Sequence, residues 1–508
     1  EGLVDEQLVS WVKHGMPGAP AMKIFAQLAP PHVGALENAE IFVEKRKADE
    51  EAGFVSGGFS FPDVWPSVID PMNIVVQHGK GRLTVDKTMR ISEAFESFNV
   101  SMDLSVDEAG KRYLLVRFWQ FARAAAILDT ACLGLLGVQV KVAKLDWEAF
   151  FRKNPKQRAY VYQSGRLLDD GFGTDWRVNF GEANAPDHTG RASNAVVFFI
   201  RRELARLEAA YPTKNPQLRA WLRYRLEVLE AKGAPVEEFC GAMLFFIMAY
   251  VDDLGFAIVD DPLFDHHGAP VLITVYDASG TASLVHQTRA ELYFDAAIGI
   301  SELIGHTAPL KKQQRPSRGM TLIGHGIDLD AWIRFLDADK ASKYRQHVEG
   351  ILNAPPLAAG GRHVEYKSAE SLAHRLVHAA EVVPMGRAYY FYIFQSLRSK
   401  NHLRSKREKV IFGPKAVYEL QWWLHILEAP RLRAVPLASR FSFPNADAED
   451  GVLIHYGDAS REFDESSGRA AESSGWGAWT VIDDTFFFIE GRWSHDECRR
   501  FSINILES

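Results

Sequence analysis

Cysteine is scarce: the 508 residues hold only Cys132, Cys240 and Cys498, far apart and with no CxxC spacing. That excludes a disulfide framework and a zinc knuckle, and it fits a reducing, intracellular setting, cytoplasmic or nuclear. Long apolar runs are also missing. The longest, around residues 242–251, is far too short to cross a bilayer, so no membrane partner is expected. Positive charge is not in excess, because 58 basic residues face 65 acidic ones for a net charge of −7. A chain of that balance does not bind polyanions through its overall field, so any phosphate contact must come from local basic clusters. There is no Asp-Thr-Gly or Asp-Ser-Gly signature, no internal repeat and no low-complexity tract. What remains is globular in composition, 47% apolar and 12% aromatic, and long enough for about three or four domains.

The most informative stretch runs from Phe245 to Asp260. Two short runs rich in aromatic and branched residues, 245–251 and 254–259, flank a bare Asp252–Asp253 pair. Short runs of that composition suit buried strands, and two strands joined by two residues make a hairpin. The pattern predicts Asp252 and Asp253 on its tight turn. Asp-Asp is a poor turn dipeptide beside Asn-Gly or Asp-Gly, and a locally poor choice at a strand tip points to function. Adjacent carboxylates repel unless a cation lies between them, and oxygen ligands suit Mg2+.

Other segments carry weaker signals. A strand is expected through Gly79 to Asp86, with Lys80 and Arg82 on one side of it, two cations able to grip a triphosphate. A helix is expected over 118–134, followed by an apolar strand ending in Asp146, a second metal-ligand candidate, with Phe150, Phe151 and Arg152 behind it. Asn179, Phe180 and Gly181 open a loop, and a helix resumes over 195–209. The Arg/Glu-rich segment 211–233 reads as a solvated helix. Lys311 and Lys312 precede the run from Gly319 to Asp328, and 339–399 reads as helical. The run from Arg398 to Lys409 sets six basic residues against one Glu, a candidate phosphate track. Near the end, an apolar strand reaches Asp458, strands follow over 475–482 and 486–493, and a helix starts at Phe501 and carries Glu507.

In this order the motifs resemble the reverse transcriptases of retroelements, DIRS-like or gypsy-like. Tyr250, Val251, Asp252 and Asp253 look like that family's catalytic hairpin, and Asp146 like its first catalytic aspartate. The resemblance implies an α+β right-hand polymerase of fingers, palm and thumb, followed by a connection and a truncated ribonuclease H-like α/β module. It implies an RNA-directed DNA polymerase that extends a primer on an RNA or DNA template from deoxynucleoside triphosphates. Mg2+, with Mn2+ as an alternative, would be held by Asp146, Asp252 and Asp253. Lys80 and Arg82 would meet the incoming nucleotide, and Phe180 and Gly181 the template and nucleotide. Phe151 would exclude a 2′-hydroxyl, Lys311 or Lys312 would stand as general acid, and Gly319–Asp328 would form a primer-grip hairpin. Phe150 departs from the small residue usual there, and Asp187 and His188 from apolar ones.

The segments implied are 1–60, an extension of unknown role; 61–330, fingers and palm; 331–445, thumb and connection; and 446–508, partial ribonuclease H. By the resemblance, Asp458 and Glu507 would be two of that module's metal ligands, and its later aspartates would fall after Ser508. With Glu1 in place of an initiator Met, the resemblance implies a piece of a longer polyprotein with other domains. Two rivals stand beside this reading: a domesticated or decayed, non-catalytic nucleic-acid binder, and an RNA-dependent RNA polymerase. The latter would place a small or polar residue at Phe151 and lack the attached ribonuclease H.

Overall fold

The computed structural model describes residues 6–19, 22, 25–77, 80–89, 97–101, 118–135, 138–179, 181–182, 185–231, 244–276, 282–383, 385–398, 408–437, 455–460, 463–464, 469–470, 475–482 and 485–492. Helices and sheets are mixed along the chain. It divides into two compact units, Glu1–Arg117 with Leu136–Ser317, and Phe118–Leu135 with Arg318–Ser508.

The first unit is built on a four-stranded antiparallel sheet. Its order is Gln314–Ser317, Gln139–Asp146, Asp253–Asp260, Phe245–Tyr250. Side chains alternate across a strand, so Ala143 and Leu145 enter one core while Lys144 and Asp146 face the other way. That core closes when helices Ala185–Ala210 and Arg289–Leu303 lay Val196, Ile200, Leu204, Tyr293, Phe294 and Ala297 against Phe256 and Ile258. A second sheet of five strands, including Val55–Phe59, Gly165–Leu168 and Gly171–Asp175, shares a core through Leu168 with a two-stranded hairpin, Met72–Gln77 with Lys80–Val85. Helix Ala39–Glu51 packs on that hairpin, Phe42 and Ile41 meeting Ile74 and Leu83.

The five-stranded sheet encloses an ion network that the sequence did not announce. Arg152 donates to both Asp175 oxygens at 2.9 Å, to Asn179 Oδ1 at 2.6 Å and to Asp49 at 3.0 Å. Arg166 donates to the same Asp175 and Asn179, and Lys156 pairs with Glu182. Asp175 is fully buried, yet the two guanidiniums hold its carboxyl well below the usual range.

The second unit has a helical core. Helices Ala338–Leu352, Tyr366–Ala379, Phe391–Arg398 and Pro414–Glu428 bury Tyr344, Val348, Leu372, Leu376, Ile393, Leu420 and Trp423 together. The expected helical stretch 339–399 is interrupted: Pro355 and Pro356 cannot continue a helix, and strand Arg362–Glu365 follows, paired with Lys409–Phe412. Gly319–Leu322 and His325–Asp328 form the expected hairpin, turning through Ile323 and Gly324 at φ +48° and +85°. The last described strands, His455–Ser460, Gly475–Ile482 and Thr485–Arg492, make an antiparallel sheet in which Asp458 lies opposite Gly477. No helix among the described residues is long and apolar enough to cross a membrane.

Candidate active site

The hairpin Phe245–Tyr250 and Asp253–Asp260 forms as its pattern predicts, but its turn is shifted by one residue. Asp253 is the first strand residue, paired with Tyr250 on one side and Asp146 on the other. The turn residues are Val251 and Asp252, and Val251 sits at φ +57°. A branched side chain disfavours that left-handed conformation, so the turn is strained by order 1–3 kcal/mol and must be held from outside. Three groups hold it. Val251 is buried against the core, the Ser193 hydroxyl donates to its carbonyl, and Trp147 N donates to Asp252 O at 3.0 Å. The last bond ties the turn to the residue after Asp146.

Asp146, Asp252 and Asp253 thus meet at one end of the sheet, and two lysines answer two of them. Lys312 Nζ donates to Asp146 Oδ1 at 2.7 Å, and Lys144 Nζ lies 2.8 Å from Asp253 Oδ1. Asp252 is answered by neither. Burial, then the charges of Asp253 and Asp146, push its pKa up to about 6, with Lys312 offsetting part of that rise. Asp253 is also raised, chiefly by burial, against the lowering pull of Lys144. Among the described residues, no three or more His, Cys, Asp or Glu are gathered into a ready-made metal cage. The donor chemistry nevertheless fits a hard divalent cation: three carboxylates, two of them ion-paired to lysines and one with its repulsion only partly offset.

Lys312 belongs to the 3-10 turn Leu310–Lys312, which points it at the site while Lys311 on the same turn is exposed. Of the two lysines, only Lys312 reaches the carboxylates. Behind Asp146 the chain turns through Ala149 at φ +52°. This sends Phe150 inward, stacked on Trp147 at 4.9 Å and against His306 at 4.8 Å. The unusual bulk of Phe150 is therefore core filling. Burial in that aromatic nest pushes His306 down to about 4. Phe151 is half-buried, packed between this core and a second one around Trp11 and Val178. Arg152 is taken by the ion network.

The strand expected around Lys80 and Arg82 is present as Lys80–Val85, with Arg82 exposed; the Lys80 side chain lies outside the described residues. Gly181 stands against its end. At φ +108°, a Cβ there would come within 2.2 Å of the Val85 carbonyl, so only glycine permits the approach. Asn99 donates to the Gly181 carbonyl at 2.8 Å. Phe180 lies outside the described residues. The helix after this loop begins at Ala185, ten residues before the expected 195, and its His188 is buried, its ring tilted against Trp11 with centroids 4.4 Å apart. Glu507 and the basic positions 399–407 also lie outside the described residues, and Asp458 is described as backbone only. Sequence reasoning missed Lys144. Its spacing two residues before Asp146, on the same side of a strand, was the available signal.

No family model and no curated protein matches the chain. Among solved structures it is similar to a foamy viral protease-reverse transcriptase dRH in complex with ds DNA. The identity is 12% and the TM-score 0.46, over 96% of this chain and 60% of that one. The foamy viral protease-reverse transcriptase in complex with dsDNA gives 12% and 0.47, over 96% of this chain and 74% of that one. The same protein with an RNA/DNA hybrid gives 12% and 0.41, over 95% and 66%.

Proposed function

We propose that the chain is an RNA-directed DNA polymerase of retroelement type, extending a primer on an RNA or DNA template by metal-assisted nucleotidyl transfer. The observation that carries this is the juxtaposition of Asp146 with Asp253, through the register of the central strands, and with Asp252, through the Trp147 N–H bond to a strained turn that Ser193 and the core also hold. A strained backbone held at such expense beside three mutually repelling carboxylates is poor design for stability and good design for binding a cation.

Asp146 and Asp252 would hold Mg2+ or Mn2+, with Asp253 beside them. When bound, the metal pair would lower the pKa of a primer 3′-hydroxyl and neutralise the triphosphate. The chain's own residues do the positioning. Trp147 N keeps Asp252 against the end of the Asp146 strand, and Ser193 keeps the turn closed. Lys312, which pairs with Asp146, would hold an ammonium beside the reacting phosphates, suited to a developing negative charge. Phe151, braced by two cores, has the rigidity that excluding a 2′-hydroxyl requires. Gly181 and the exposed Arg82 would face the nucleotide from the adjoining hairpin.

Primer extension tests the reading. Purified chain, an RNA template with a DNA primer, all four deoxynucleoside triphosphates and Mg2+ should give full-length product. Ribonucleotides in their place should give little.

A further inference from the structure

Lys144 lies two residues before Asp146 in the central strand, and its backbone is paired on both flanks, to Gly255 and to Gln314. Its neighbours Ala143 and Leu145 are fully buried, which fixes the face that Lys144 presents. Gly255 stands directly opposite, and Lys144 Nζ lies 2.8 Å from Oδ1 of its diagonal neighbour Asp253. The second lysine is held differently. Lys312 rides on a three-residue turn with its side chain 34% exposed, against 20% for Lys144. One cation is mounted on a central strand paired on both flanks, the other on a short, more exposed turn.

We infer that Lys144 is a resident counter-ion of the carboxylate trio. By neutralising Asp253 it lowers the site's charge, sets its affinity for divalent cations, and leaves the metal to Asp146 and Asp252. Three ionised carboxylates would grip a divalent ion tightly and release it slowly. A permanent ammonium removes one charge from that attraction without occupying the other two ligands. This rests on the reading of the trio as a metal site. Lys144 is a positioning residue, since it acts through Asp253.

Direct Mn2+ binding to the full chain, followed by calorimetry without nucleotide or template, tests it. Lys144→Met should bind Mn2+ about tenfold tighter than the unsubstituted chain, whereas Lys144→Arg, which keeps the charge, should match the unsubstituted chain. Lys141→Met removes a similar cross-strand pair, Lys141 with Asp260 at 3.2 Å at the far end of the same two strands, and should leave the affinity unchanged. Lys144→Gln carries the same expectation as Lys144→Met and keeps a polar group beside Asp253. Unchanged or weaker Mn2+ binding in the folded neutral variants overturns the inference and leaves the polymerase reading standing. So does loss of folding in both, which would make the lysine a requirement of the fold alone. Absence of Mn2+ binding by the unsubstituted chain overturns both.

Discussion

Acidification should weaken the second unit through His325, and the size of the effect follows from its surroundings. His325 is fully buried in the hairpin Gly319–Asp328, its ring 3.9 Å from that of His378 and parallel to within 10°. His325 Nε2 donates to the His378 carbonyl at 2.9 Å, and His378 Nε2 donates to the Ile323 carbonyl in the hairpin turn at 3.0 Å. The two rings therefore fasten the hairpin to helix Tyr366–Ala379. Those bonds put the proton on Nε2 of each ring. Tyr344 donates to His378 Nδ1 at 3.2 Å, while His325 Nδ1 is buried with no partner among the described residues. A second proton on His325 would be desolvated first, then repelled by His378, Arg334 and Lys340, and its pKa falls to about 3.

The sign follows from that depression. The unfolded chain takes up a proton near pH 6.5, the folded one only near 3, so stability is full above about 6.5 and falls below it. At about 1.4 kcal/mol per pH unit, moving from neutral pH to about pH 5 costs roughly 2 kcal/mol from this residue. His378, also lowered by burial, adds in the same direction. Urea melts of the second unit's tryptophan signal at the two pH values measure the difference. His325→Gln keeps a donor near Nε2 and removes the titration, so its pH 7-to-5 loss should be smaller by about 2 kcal/mol, even though lost ring packing lowers its stability at neutral pH. An equal pH dependence in both proteins would refute the argument.

Three further outcomes are expected. Asp175→Asn leaves Arg166 and Arg152 short of a buried counter-charge and should destabilise the first unit by about 3–5 kcal/mol, read from denaturant midpoints; a change near zero would mean the network is solvated. Phe151→Ala should raise ribonucleotide incorporation in single-nucleotide assays with the fold retained, and unchanged sugar discrimination would remove it from that role. Neutralising Arg404, Lys406 and Arg407 should flatten the salt dependence of template–primer binding by about 0.9 in slope per lost phosphate contact, whereas an identical slope would make them ordinary solvated residues.

What could be read from the sequence was local. The two apolar runs around Asp252, the strand ending in Asp146 and the hairpin from Gly319 to Asp328 all formed, because composition over six or eight residues decides a strand. The turn register was not legible. Propensity places Val251 in a strand, and only tertiary contacts from Ser193 and the core force it to a positive φ. Nor was the fate of Arg152, whose partners Asp49 and Asp175 lie 103 and 23 residues away. Pattern could not choose between Lys311 and Lys312, since the choice depends on which way one 3-10 turn points. His188 read as a departure from an apolar pattern, yet buried with its ring against Trp11 it fills the apolar role.

The proposed nucleotidyl transfer would depend on the carboxylate of Asp252, held beside the end of the Asp146 strand by the Trp147 N–H and paired directly with neither Lys144 nor Lys312. Single-turnover extension of a DNA primer by one nucleotide on an RNA template, with saturating Mg2+, tests it in Asp252→Asn against the unsubstituted chain. Asn keeps the shape, relieves the buried charge and should leave the fold at least as stable, while the rate should fall by about three orders of magnitude or more, the effect of losing a metal ligand at the reacting centre. Extension at the same rate by both folded proteins would contradict the account.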